Sequence, residues 1–271
     1  MNDYRLIALD LDGTLTNAEK IITPHTLSAL LEAQRQGKRV ILASGRPPYG
    51  IIPLAEQLEM EKYGGFILSY NGGKLIDWQT KETIFQQTLP DELLPIIYNC
   101  SRVSGFPVMT YIGKEIFTEA PDDKYVAHAS FINKMKIHGV SDFLNEIERP
   151  LNKCLIVGEP DGLHQLEVEM KEKFGHLMGI FRSQPFFFFF FPLGIDKAKT
   201  LEVLLKKLGL SRENLIAVGD GWNDISMIEY AGLGVAMNNA QDEVKAKADY
   251  ITINSNENDG VAEIVENFLL K

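Results

Sequence analysis

The sequence has only two cysteines in 271 residues, Cys100 and Cys154. That excludes a disulfide framework and a cysteine-based zinc site, and both side chains read as buried, reduced thiols. Positive charge is also scarce: 27 Lys and Arg stand against 37 Asp and Glu, a net charge of −10. The deficit argues against a nucleic-acid backbone or an anionic membrane as partner. No apolar run reaches the roughly 18 residues of a membrane span. No basic segment leads into an apolar stretch at the N-terminus, so no signal peptide is expected and a cytoplasmic protein is the default. The five histidines, His25, His128, His138, His164 and His176, have no metal-like spacing. No internal repeat is evident. Apolar residues make up 45% of the chain, enough to fill one large domain or two smaller ones.

The most informative stretch is Asp10-Leu11-Asp12-Gly13-Thr14-Leu15. The apolar run Leu6-Ile7-Ala8-Leu9 before it predicts a strand buried on both faces of a parallel sheet. Two carboxylates one residue apart then stand at the strand's C-terminal end, where open α/β sheets bind ligands. Gly13 marks a sharp turn or a close approach of the backbone.

The same pattern recurs. Thr23 to Gln36 predicts a helix, with Pro24 at its first position and Gly37 at its end. Arg39 to Ala43 is a strand running into Ser44-Gly45-Arg46. Phe66-Ile67-Leu68 is another, running into Ser69-Tyr70-Asn71-Gly72-Gly73. Later, Lys197 to Leu208 is an amphipathic helix, and Leu215 to Val218 is a strand ending in Gly219-Asp220-Gly221-Trp222-Asn223-Asp224. Trp222 there suits either packing or an exposed lip. Gly260 to Leu270 predicts a closing helix. Between the two halves the alternation changes to short strands and helices, which predicts an α+β insertion at 83–188. The fold expected is a doubly wound, Rossmann-like parallel α/β core from 1–82 and 189–271 with that insertion as a separate domain. Six consecutive phenylalanines, Phe186 to Phe191, are too short to span a membrane; a buried or hinge strand is favoured over a surface on the substrate path.

Asp10, Asp12, Asp220 and Asp224 gathered in one crevice would repel one another, and a hard divalent cation removes that cost. Mg²⁺ prefers carboxylate, water and phosphate oxygens. With Ser44, loop amides and Lys197 nearby, the set suits a phosphoryl group, whose charge spreads over three oxygens. An Asp can then act as nucleophile and a second as acid and base.

Asp10-x-Asp12-Gly-Thr, Ser44-Gly-Arg46, Lys197 and Gly219-Asp220-x-x-Asn223-Asp224 together resemble the four ordered motifs of the haloacid dehalogenase superfamily. The long insertion and Asn71-Gly72 resemble its Cof-type, sugar-phosphatase branch. The resemblance implies Asp10 as nucleophile and metal ligand, Asp12 as general acid/base and carbonyl ligand, and Asp220 as third metal ligand. It implies Asp224 as support for the metal site or for Lys197, and Ser44, Lys197 and Asn223 as phosphate contacts. Arg46 and Asn71 are weaker candidates for touching substrate; either could instead serve locally, Arg46 in an ion pair and Asn71 in a tight turn. The activity implied is a Mg²⁺-dependent phosphomonoesterase of small phosphorylated metabolites, with 83–188 as a specificity cap. The alternatives are a phosphotransferase or mutase on the same core and a non-catalytic aspartyl-phosphate switch module. The phenylalanine run departs from the mixed strand usual there and points to a leaving group less polar than a hexose.

Overall fold

The computed structural model describes residues 3–271. It has two compact units, one formed by 1–85 with 196–271 and one by Gln86–Ile195. In chain order the strands are β1 (Leu6–Leu9), β2 (Arg39–Ala43), β3 (Phe66–Ser69), β4 (Lys74–Asp77), β5 (Thr83–Gln86), β6 (Val108–Ile112) and β7 (Glu115–Thr118). They continue with β8 (Lys136–Gly139), β9 (Cys154–Val157), β10 (Met178–Gln184), β11 (Phe187–Pro192), β12 (Leu215–Gly219), β13 (Leu233–Ala236) and β14 (Tyr250–Ile251).

The first unit carries an eight-stranded sheet in the order β14-β13-β12-β1-β2-β3-β4-β5. Pairing is parallel from β14 through β3, and β4 turns back antiparallel on β3. The chain therefore winds outward from β1 in both directions, and the reversal lies between β1 and β12. That is where doubly wound sheets place their ligands. The central strands β1, β2 and β12 are apolar on both faces because each face is covered. Ile7, Leu9, Val40, Leu42, Ile216 and Val218 pack into one core, with Leu30 and Ala33 of the helix Pro24–Arg35. Leu6, Ala8, Ile41, Ala43, Leu215 and Ala217 pack into another, with Leu201, Leu204 and Leu205 of the helix Lys197–Leu208. The expected closing helix divides into Gly260–Ile264 and a π-helical turn, Val265–Leu269.

The second unit carries a six-stranded sheet in the order β10-β11-β9-β6-β7-β8. Phe187 to Phe191 of the phenylalanine run lie in β11, hydrogen-bonded to β10 on one side and β9 on the other. This pairing extends the unit to Ile195, past the 188 read from the spacing, and its start lies at 86 instead of 83. Alternation in β11 splits the phenylalanines between faces. Phe188 and Phe190 are fully buried against the helices Leu94–Ser104 and Pro160–Phe174, with Cys154, Ile156 and Met170. Both cysteines are buried and unlinked. The spacing predicts no element between Thr118 and Lys153, yet the helix Lys124–Asn133 and β8 lie there. The helix carries no continuous apolar stripe: it buries Val126, Ala129 and Asn133, while Phe131 is 81% exposed.

Candidate active site

Asp10 follows β1 directly. Its backbone N–H donates to Val218 O at 3.0 Å, which extends the β1–β12 ladder and holds the side chain at the reversal point. Lys197 opens its helix, where Asp196 caps the first turn by accepting from the Lys199 N–H. The Lys197 ammonium is fully buried and donates to Asp10 Oδ1 at 2.6 Å, Asp224 Oδ1 at 2.6 Å and Ala43 O at 2.7 Å. Burial opposes its charge, but the two carboxylates outweigh it and hold the amine above its ordinary range. Asp224 is occupied on its other oxygen too: Oδ2 accepts from the N–H groups of Asp220 and Gly221 at 3.0 and 2.9 Å.

The carboxyl of Asp10 stands well above its usual range, first because it is buried and next because Asp224 is close; Lys197 only partly offsets this. Asp220 is pushed up to about 6, chiefly by burial, against the hydrogen bond that its Oδ1 accepts from Thr14 Oγ1 at 2.8 Å. One oxygen from each of Asp10, Asp220 and Asp224 lies within 4.8 Å of the others. Among the described residues no hydrogen bond reaches Asp10 Oδ2 or Asp220 Oδ2. An all-oxygen donor set of crowded acids with two unengaged oxygens fits a hard divalent cation, and Asp224 has both oxygens held, one by Lys197 and one by two backbone N–H groups.

Gly13 is required here. Its φ is +89°, and a Cβ on it would stand 2.3 Å from Asp220 Oδ2. Its carbonyl accepts from Asn239 Nδ2 at 2.7 Å. Thr14 and Asn239 thus lock the loop after β1 to the loops after β12 and β13. Thr14 lies inside the Asp10–Leu15 motif, so its signal was present in the sequence; Asn239 follows a short strand with no motif around it.

Asp12 points into a cationic clasp. Arg46 donates from Nε to Oδ2 at 2.8 Å and from Nη2 to Oδ1 at 2.5 Å, and the Lys20 ammonium lies 2.8 Å from Oδ1. Burial alone would raise this carboxyl, but Arg46 and Lys20 together hold it below the ordinary range. Arg46 is thus paired with Asp12 itself and not with a distant surface acid. Lys20 sits in a left-handed conformation in the turn Asn17–Ile21, and nothing in its local sequence marks it.

Ser44 is buried, and its Oγ accepts from the Arg46 N–H at 3.1 Å. Its carbonyl accepts from the Asn71 N–H at 3.0 Å. Tyr70 and Asn71 both have φ near +55°, which is strained for non-glycine residues. The turn brings Asn71 Oδ1 to Asn223 Nδ2 at 3.3 Å. Ser44, Arg46, Asn71 and Asn223 are therefore joined in one chain of contacts, and Trp222 beside them is 63% exposed. All three N–H groups of Lys197, read from the sequence as a phosphate contact, donate to protein atoms here.

Residues 7–265 match the family of haloacid dehalogenase-like hydrolases. A haloacid dehalogenase-like hydrolase from Bacteroides thetaiotaomicron is 51% identical, with a TM-score of 0.94 over 97% of this chain and 98% of that one. The 5-amino-6-(5-phospho-D-ribitylamino)uracil phosphatase of Bacillus subtilis is 31% identical, over 99% of this chain and 97% of its own. The pyridoxal phosphate phosphatase of Escherichia coli is 27% identical, over 98% and 99%. With its doubly wound core and full-length coverage, the chain belongs to the haloacid dehalogenase-like hydrolase family and is a phosphatase.

Proposed function

We propose that the protein is a Mg²⁺-dependent phosphomonoesterase of small phosphorylated metabolites that works through an aspartyl-phosphate. The observation that carries this reading is the buried Asp10 carboxylate, fixed by Lys197, beside the two unengaged oxygens of Asp10 and Asp220. Lys197 would orient the carboxylate plane of Asp10 for in-line attack on phosphorus and leave the attacking oxygen in place through both half-reactions. Asp224 keeps Lys197 charged. A divalent cation held by Asp10, Asp220 and the Asp12 carbonyl would supply positive charge to the phosphoryl oxygens.

Asp12 would give a proton to the leaving oxygen as the Asp10–phosphorus bond forms and the ester bond breaks. It would then take a proton from the water that attacks phosphorus, releasing inorganic phosphate and restoring Asp10. Ser44 and Asn223 would contact the remaining phosphoryl oxygens, with Asn71 holding Asn223 in place. The second unit, Gln86–Ile195, would act as the cap that contacts the rest of the substrate, so that remote binding energy positions the phosphate.

The test is a panel of phosphorylated metabolites assayed for continuous phosphate release with Mg²⁺, with Ca²⁺ and with chelator. Release over many turnovers with Mg²⁺ alone supports the reading. Phosphate passed to a second sugar hydroxyl without release would make the protein a mutase, and undiminished turnover of a metal-stripped sample would refute the metal requirement.

A further inference from the structure

The cations of the candidate active site differ in what they have left to give. Lys197 is buried and donates to Asp10, Asp224 and Ala43 O. Arg46 turns its guanidinium to both oxygens of Asp12 and to Gly50 O. Lys20 is freer. Its Nζ lies 2.8 Å from Asp12 Oδ1, and among the described residues Asp12 is its only side-chain partner. Two of its N–H groups therefore remain, on a side chain that is 49% exposed.

The turn that carries Lys20 is fixed in a shape that aims it at Asp12. Lys20 has φ +63°, a backbone that glycine adopts at less cost. Five hydrogen bonds hold the turn so. Lys20 N–H donates to Asn17 O and Asn17 N–H to Ile21 O, each at 3.0 Å. The N–H groups of Glu19 and Ile21 donate to Asn17 Oδ1, each at 3.1 Å, and that of Ala18 to Glu257 Oε1 at 2.7 Å. Strain over-determined in this way collects at functional sites. The pair with Asp12 does not account for it, because an exposed ion pair is worth no more than a left-handed backbone costs.

Asp12 is the acid that meets the leaving oxygen. A leaving oxygen hydrogen-bonded to Oδ1 at about 2.7 Å stands no more than about 5.5 Å from the Lys20 ammonium. A carboxylate one or two carbons from that oxygen spans this gap. A hydroxyl in the same place would form a weaker hydrogen bond, since only the ammonium would be charged. Phe187 to Phe190 are buried, so the polarity of the leaving group is read from Lys20 instead of from the phenylalanine run.

We propose that Lys20 determines specificity: it selects phosphate esters of short hydroxy acids and takes the substrate carboxylate on its two remaining N–H groups. The proposal rests on the phosphomonoesterase reading above and names the substrate class for it.

Phosphoglycolate is compared with its neutral amide, and 6-phosphooxyhexanoate with its own amide. Only the first pair puts the charge within reach of Lys20. The intact protein should favour phosphoglycolate over its amide at least about tenfold in kcat/KM and should not separate the longer pair. Lys20→Met should bring the first ratio close to unity, through KM, and Lys20→Arg should keep most of it. Equal slowing of acid and amide in Lys20→Met would mean that the ammonium serves Asp12 alone, and would overturn the proposal. An intact protein that does not favour phosphoglycolate over its amide would overturn it too. A phosphonate, 3-phosphonopropanoate, has CH₂ for the ester oxygen and cannot be hydrolysed, so it separates the subsite from the reaction. Calorimetry in Mg²⁺ should show it bound at least about tenfold more weakly by Lys20→Met than by the intact protein. That result without turnover of any ester would count against the reaction and for the subsite; equal or absent binding would count against the subsite.

Discussion

Arg46 grips both carboxylate oxygens of Asp12, two parallel bonds of 2.8 and 2.5 Å from one guanidinium. The pair holds Asp12 ionised in the protein without substrate. It therefore stands ready as a base, and its work as an acid requires the grip to loosen when a phosphate ester arrives. Removing the fork leaves burial opposed by Lys20 alone, so the Asp12 carboxyl should rise. In Arg46→Ala the alkaline limb of the kcat/KM profile, where Asp12 loses the proton that it must give to the leaving oxygen, should move to higher pH. Arg46→Lys should recover little, because a single ammonium cannot reproduce the fork. An unchanged alkaline limb would show that Arg46 does not tune Asp12.

Asp10→Asn should leave the fold intact and remove turnover. The amide is nearly isosteric, and Lys197 keeps Asp224 and Ala43 O as partners. Phosphate release should fall at least about 10³-fold, while circular dichroism and the melting temperature stay close to those of the intact protein. Substantial release by the folded variant would remove Asp10 from the role of nucleophile.

Asp224→Ala should act mainly on stability. It strips one of two carboxylates from a fully buried ammonium and leaves the Asp220 and Gly221 N–H groups without their acceptor. Breaking one side of a buried ion pair costs about 3–5 kcal/mol. Chemical denaturation should show a loss of that order, and a loss below about 1 kcal/mol would mean that water replaces the carboxylate at no cost.

The core was legible because its signals are local and its strands are covered on both faces. Uninterrupted apolar runs such as Leu6–Leu9 predict two-sided burial, and Asp10, Asp12, Ser44, Asp220 and Asp224 all stand at the ends of such runs. Pairings across the site were not legible. Whether Arg46 meets Asp12 depends on the path of two loops 34 residues apart in sequence, and Lys20 enters through a left-handed turn with no glycine to announce it. The helix Lys124–Asn133 escaped because its buried residues are few and unevenly spaced. The end of the second unit was misplaced because six identical side chains carry no period, so only the pairing of β11 with β9 and β10 reveals where it belongs.

Asp220 links pH to stability. Its folded carboxyl, pushed up to about 6, lies above the ordinary value near 3.9 expected for the unfolded chain. Between these values the folded state holds the proton more tightly, so this contribution to stability is full below about pH 4 and is lost as pH rises through about 6. Metal-stripped protein should therefore lose up to about 3 kcal/mol across that window, and Asp220→Asn should abolish the loss attributable to this group. Added Mg²⁺ should restore stability above about pH 6, where the carboxylate is free to bind it, and much less below. Identical pH profiles of intact and Asp220→Asn protein without metal would refute this assignment.

Gly13→Ala tests whether the turn between the two motif acids is built around Asp220. The backbone there sits at φ +89°, a region that a side chain makes unfavourable, and the new Cβ would stand 2.3 Å from Asp220 Oδ2. Two costs add: roughly 1–2 kcal/mol for the left-handed backbone and the displacement of Asp220. Displacing Asp220 breaks its bond from Thr14 and pulls it away from Asp10. Stability should fall by about 2 kcal/mol or more, and Mg²⁺ should bind at least tenfold more weakly in calorimetry. The two readouts separate the causes. If the backbone alone were responsible, the melting temperature would drop while metal affinity stayed at the level of the intact protein, and the loop would be a turn that happens to lie beside the acids instead of the wall that sets their spacing.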